Sequence, residues 1–119
     1  IRGEAERGFP SVTGTGLPAL RSSLAKGLSL NDAMVDGLLA LMTVVEDTNI
    51  LSRGGREGER TVREGAARAM ELGGMSSKKG KEAVRKMNGL FTRNNLSPGG
   101  SADLLAVTVF LHLLTPASG

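Results

Sequence analysis

The sequence predicts an all-α protein, a compact bundle of about five helices that forms part of a larger all-helical domain. Three observations predict it. Apolar residues recur at helical spacing, strand-type alternation is scarce, and glycine pairs fall between the apolar runs, where they end helices. The pairs are Gly54-Gly55, Gly73-Gly74 and Gly99-Gly100, part of a total of 17 glycines in 119 residues, well above the ordinary usage of about 7%. One core is expected for a chain of this size. It has to be aliphatic, because three Phe are the only aromatic residues.

In chain order, residues 1–16 are polar and carry Gly8, Pro10, Gly14 and Gly16, which predicts a short helical turn followed by a loop. Residues 17–26 read as a short helix, with Pro18 tolerated in its first turn and Gly27 as its stop. Ser29 is a good N-cap for a helix over about 30–47, with Asp32 complementing the dipole in the first turn. Met34, Leu38, Leu41 and Val45 form one stripe of that helix. Val35, Leu39 and Met42 widen the stripe until almost no polar face remains, so the helix is central and packed on several sides.

Residues 53–59 read as a charged, Gly-rich loop, and about 57–72 as a helix that ends at Gly73-Gly74. Ser76 or Ser77 caps the next helix, to about Phe91. Ala83, Val84, Met87, Leu90 and Phe91 lie on one side of it and Lys78, Lys81 and Arg85 on the other. The stretch from Asn94 to Gly100 cannot continue a helix. Ser101 starts the last one, where residues 104–114 are apolar nearly all round. Two buried helices thus each meet a polar, glycine-bearing segment at one end.

A net charge of +3 mildly favours anionic partners. Without Cys there is no disulfide, thiolate metal site or Cys nucleophile. The single histidine, His112, rules out a multi-histidine metal cluster within this chain, and its apolar setting reads as a core position. No apolar run reaches the roughly 18 residues of a membrane span, and no signal peptide is seen, so the expected location is the cytoplasm. The lack of Tyr and Trp argues against base stacking, so nucleic acid is not the expected partner. The chain opens Ile1-Arg2-Gly3 without Met and reads as a piece of something longer.

Three segments carry candidate chemistry. In the first, Asp47 can hold a metal ion or act as a base, Asn49 can orient a hydroxyl or phosphate, and Arg53 can clamp phosphate oxygens. Gly54 and Gly55 would let backbone N–H groups face a ligand. The same spacing also fits a plain helix C-cap, with Asn49 left-handed and Asp47 paired with Arg53. In the second, Ser97, Gly99, Gly100 and Ser101 lead into a helix whose free N–H groups suit phosphate. Asp103 there is either catalytic or a complement to the dipole, and a Pro-Gly turn with a Ser N-cap fits as well. In the third, Glu4 is a possible acid or base near Gly8-Phe9-Pro10. The basic stripe Lys78, Lys79, Lys81, Arg85 and Lys86 can bind phosphate, but reads first as a solvated face.

Taken together, Gly3-Glu4-Ala5 with Gly8-Phe9-Pro10, Asp47-Thr48-Asn49 with Arg53-Gly54-Gly55, and Ser97-Pro98-Gly99-Gly100-Ser101-Ala102-Asp103-Leu104 resemble successive C-terminal motifs of the triphosphoribosyl-dephospho-coenzyme A synthase family. The resemblance covers nearly the whole chain. It implies an all-α fold and a transferase that takes ATP, breaks the bond between adenine and ribose, and joins ribose C1 to the 2′-hydroxyl of 3′-dephospho-coenzyme A. The product would be the prosthetic-group precursor for the acyl carrier subunit of citrate lyase or malonate decarboxylase. Asp47, Asp103 and Glu4 would be catalytic, and Asn49, Arg53, Gly54, Gly55, Ser97, Gly99, Gly100 and Ser101 would bind substrate, with magnesium as a rival role for an aspartate. Residues 1–119 would be the C-terminal portion of one synthase domain. Family members are more than twice this long, and their Lys-Pro-Gly and Asn-Thr-His-Lys-Gly motifs are absent here. A missing N-terminal half or a second chain is therefore an expected partner. A non-catalytic basic module that binds nucleotide or nucleic acid is the alternative.

Overall fold

The computed structural model describes residues 9–94, 96 and 99–114, without the side chains of Thr48, Asn49, Ser52 and Arg53. Five α-helices account for most of it, and no strand occurs among the described residues. They are α1 (Leu17–Ala25), α2 (Leu30–Val44), α3 (Thr48–Glu71), α4 (Lys78–Arg93) and α5 (Gly99–Leu114).

The N-terminal loop expectation fails over 10–16. That stretch is helical, with a π-helical segment Val12–Gly16 that runs straight into α1. Tertiary contact decides this: Val12 is fully buried, and a Cβ on Gly16 would lie 2.7 Å from Thr108 Oγ1. Only glycine lets the segment approach α5 this closely.

Ser29 caps α2 as expected, its side chain accepting from the Asp32 N–H at 3.1 Å. The helix ends at Val44, three residues early, because Val45 turns extended with ψ 132°. Two apolar clusters meet across α2. Leu39 and Met42 pack with Ile50, Val62, Ala66 and Phe91 on the α3–α4 side. Leu41 packs with Val12 and Leu104 on the α5 side. α2 is thus the central helix the stripe pattern predicts.

The charged loop expected at 53–59 is instead helix, broken at Gly55 alone (φ 65°, ψ −163°). Only glycine is at ease there. One such residue kinks α3 without opening a loop. Gly73 and Gly74 end the helix with positive φ, and a short 3-10 turn, Gly74–Ser76, leads to α4. Ser77 caps α4, accepting from the Gly80 N–H at 2.9 Å.

The last helix begins at Gly99 rather than Ser101 and is buried on one face only. Ser101, Leu104 and Thr108 are inside, while Phe110, Leu113 and Leu114 are more than half exposed. Apolar composition alone does not bury a helix whose outer side has no neighbour among the described residues. No described helix is long and apolar enough to cross a membrane.

Candidate active site

The ends of α2 and α5 do come together. After α2 stops, residues 45–47 run extended and deliver Asp47 to the start of α3, where its carbonyl accepts from the Leu51 N–H at 3.0 Å. Asp47 therefore opens α3 as its N-cap residue, rather than closing α2. Its carboxylate serves a second helix: Oδ2 accepts from the Ser101 N–H of α5 at 3.1 Å. The residue is 3% exposed. A Cβ on Gly100 would sit 3.3 Å from Oδ2, so glycine lets the start of α5 close on the carboxylate.

Electrostatics explains why a buried acid is stable here. Free N–H groups and the positive end of the dipole gather at a helix N-terminus, and two helices begin beside Asp47. The Ser101 amide, expected to face a phosphate, is directed at this carboxylate. Beside it, the Ser101 hydroxyl is buried and has no hydrogen-bond partner among the described residues. Leaving such a group unsatisfied costs about 1–3 kcal/mol. It is a donor held ready at the mouth of a helix.

The other expected residues are distributed as follows. Asp103 shares α5 with Ser101 but is exposed, and lies beyond the first turn because the helix starts early. The space on the Cβ side of Gly54 is filled by Leu96, whose Cδ2 would be 3.0 Å from a Cβ there. Gly55 is open, with nothing within 4 Å of a Cβ. Asn49 is in the first turn of α3, not in a left-handed cap, and its side chain and that of Arg53 lie outside the described residues. Glu4 and Ser97 also fall outside them. Phe9, from the third segment, packs against the cluster of Val12, Leu41 and Leu104, and holds a left-handed φ of 57°.

His112 is half-buried at the far end of α5, where Nδ1 accepts from Arg21 Nε at 3.3 Å. Among the described residues no group of three or more His, Cys, Asp or Glu can hold a metal ion. The basic stripe of α4 divides. Lys78, Lys79 and Lys86 join Arg68 around an open groove of about 820 Å³ between α3 and α4, while Lys81 and Arg85 edge a groove on the α2 side.

Sequence reasoning missed Asp36. Its Oδ2 accepts from Ser23 Oγ at 2.7 Å and its Oδ1 from the Met75 N–H at 2.8 Å, tying α1 and the 3-10 turn to α2. The available signal was an acid inside the apolar stretch of the helix, beyond the first turn that Asp32 occupies.

The family model described as "CitG: ATP:dephospho-CoA triphosphoribosyl transferase" matches residues 1–119. The chain belongs to this family. Among relatives, a probable 2-(5″-triphosphoribosyl)-3′-dephosphocoenzyme-A synthase of Azotobacter vinelandii is 47% identical over 99% of this chain and 40% of its own length. The corresponding protein of Pseudomonas syringae pv. tomato is 42% identical over the same shares. That of Klebsiella pneumoniae is 43% identical over 92% of this chain and 39% of its own. The chain therefore spans about two-fifths of the length of these CitG-family relatives. No solved structure matches it significantly.

Proposed function

We propose that this chain forms part of the centre at which the family polypeptide transfers the 5-triphosphoribosyl group of ATP to the 2′-hydroxyl of 3′-dephospho-coenzyme A, releasing adenine. The observation that carries this reading is the contact between Asp47 and the start of α5. It joins two segments 54 positions apart in sequence at a point where two helix N-termini meet.

The reaction breaks the ribose C1–adenine nitrogen bond and forms a bond from C1 to the acceptor oxygen. The hydroxyl loses a proton and the departing adenine gains one, through an oxocarbenium-like state. Asp47 is suited to stabilise positive charge developing at the ribose, because its place is fixed before substrate arrives. Asp103 is exposed and free to reach the incoming hydroxyl as its base, with Glu4 as a further acid or base. The Ser101 hydroxyl is suited to donate to a phosphate or ribose oxygen, alongside Arg53, Asn49 and the backbone near Ser97, Gly99 and Gly100.

Magnesium commonly binds one or two carboxylates together with substrate phosphates, and Asp47 with Ser101 Oγ is a donor pair that fits. It would supply charge neutralisation for the triphosphate, which stays attached throughout. The sugar product would be the prosthetic-group precursor used by citrate lyase or malonate decarboxylase.

Asp47→Asn and Asp103→Asn in a full-length family member should each lower adenine release by about 10² to 10⁴, with helical content unchanged. Asparagine still offers an oxygen to the Ser101 N–H, so a lost rate reports the charge. Near-normal turnover in both would end the catalytic reading.

The α3–α4 groove favours a second role, as a binding surface for an anionic ligand. Its cations Arg68, Lys78, Lys79 and Lys86 surround an apolar floor that includes Leu72 and Met87. Nucleotide binding that collapses with salt and ignores the base would identify that role.

A further inference from the structure

Two apolar grooves lie on either side of α2. One, of about 420 Å³ between α2 and α5, is lined by Met34, Ala106, Val109, Phe110 and Leu113, and no charged residue borders it. The other, of about 510 Å³ between α2 and α4, has a floor that includes Val35, Leu38, Met42, Val84 and Phe91, with Lys81 and Arg85 at its edge. Met34, Leu38 and Met42 follow one another at four-residue steps, which puts them on one stripe of α2. The grooves therefore adjoin along that stripe, and together make one apolar face across α5, α2 and α4.

Scattered surface hydrophobics need no explanation, but apolar residues that adjoin along one face suit an interaction surface. Phe110 and Leu113 are 62% and 65% exposed on it. The molecule measures 42 × 38 × 18 Å. Helices are about 10 Å across, so 18 Å holds two layers, and among the described residues no third layer covers this face.

Length identifies the occupant. About three-fifths of the relatives' own length lies outside the part matched here, and it has to pack somewhere on a small slab. The other broad groove, between α3 and α4, is the more heavily charged, with Arg68, Lys78, Lys79, Lys86 and Glu82 along it, and charges resist burial. We propose that the α5–α2–α4 face is the docking surface for the remaining part of the family polypeptide, whether joined in one chain or supplied as a second. This rests on the full-length reading above only in assuming that both parts form one enzyme.

The test uses this chain and, as a separate polypeptide, the portion of the Azotobacter vinelandii relative outside its match. Co-expressed, they should purify as a stable one-to-one complex. Phe110→Asp with Leu113→Asp should abolish the complex while the far-UV helical spectrum of this chain persists. Should that pair disturb the fold, Phe110→Ser should weaken the complex at least tenfold instead. Absence of a complex, or one indifferent to these substitutions, overturns the proposal. So does a homodimer of this chain through Phe110 that the second polypeptide fails to displace. Assembly is read without activity, so a complex that releases no adenine would refute the transferase reading and leave the docking surface standing.

Discussion

Asp47 shows how one side chain joins two helix starts. Its carbonyl begins α3 and its carboxylate receives the Ser101 N–H of α5. That these segments belong together was legible in the sequence, because the Asp-Thr-Asn and Pro-Gly-Gly-Ser patterns read as parts of one site. Which donor serves which acceptor was not, since it depends on α2 ending at Val44 and not at Asp47. Likewise, nothing local announces that Gly54 makes room for Leu96. The buried Ser101 hydroxyl separates structure from function cleanly. Because its hydroxyl has no partner among the described residues, Ser101→Ala should leave the melting temperature unchanged or slightly raised, while raising KM for ATP or the acceptor in a full-length enzyme. Thermal melts and initial-rate kinetics on the same preparation check both. Asp36→Ala should be the reverse case, costing about 1.5–3 kcal/mol for each hydrogen bond lost to a charged group, measured by urea unfolding.

At the level of helices, the N-caps Ser29 and Ser77 and the stop at Gly73 were readable because their chemistry is local. The π-helical stretch Val12–Gly16 and the helical continuation through Arg53–Gly54 were not. There, contacts with α5 and with Leu96 override the local preference of glycine for loops. Two glycines hold their elements for different reasons. Gly55 needs its backbone angles, so Gly55→Ala should cost about 1–3 kcal/mol and straighten or fray α3. Gly80 needs its emptiness: a Cβ there would lie 1.9 Å from the Gly74 carbonyl oxygen. Backbone cannot swing aside as a side chain does, so Gly80→Ala should cost about 3 kcal/mol or more. Chemical denaturation of each variant gives both numbers.

For the molecule as a whole, the all-α class and the central place of α2 followed from periodicity, whereas the half-bare α5 did not. Apolar residues all round a helix announce burial, but among the described residues Phe110, Leu113 and Leu114 stay more than half exposed. α2 stands between the two clusters, sending Leu39 and Met42 one way and Leu41 the other. Neither half can loosen around it without the other giving way. Amide protons in the middle of α2 should consequently be the last to exchange with deuterated solvent, opening only when the entire chain unfolds, while those of the final turn of α5 trade within the earliest time points.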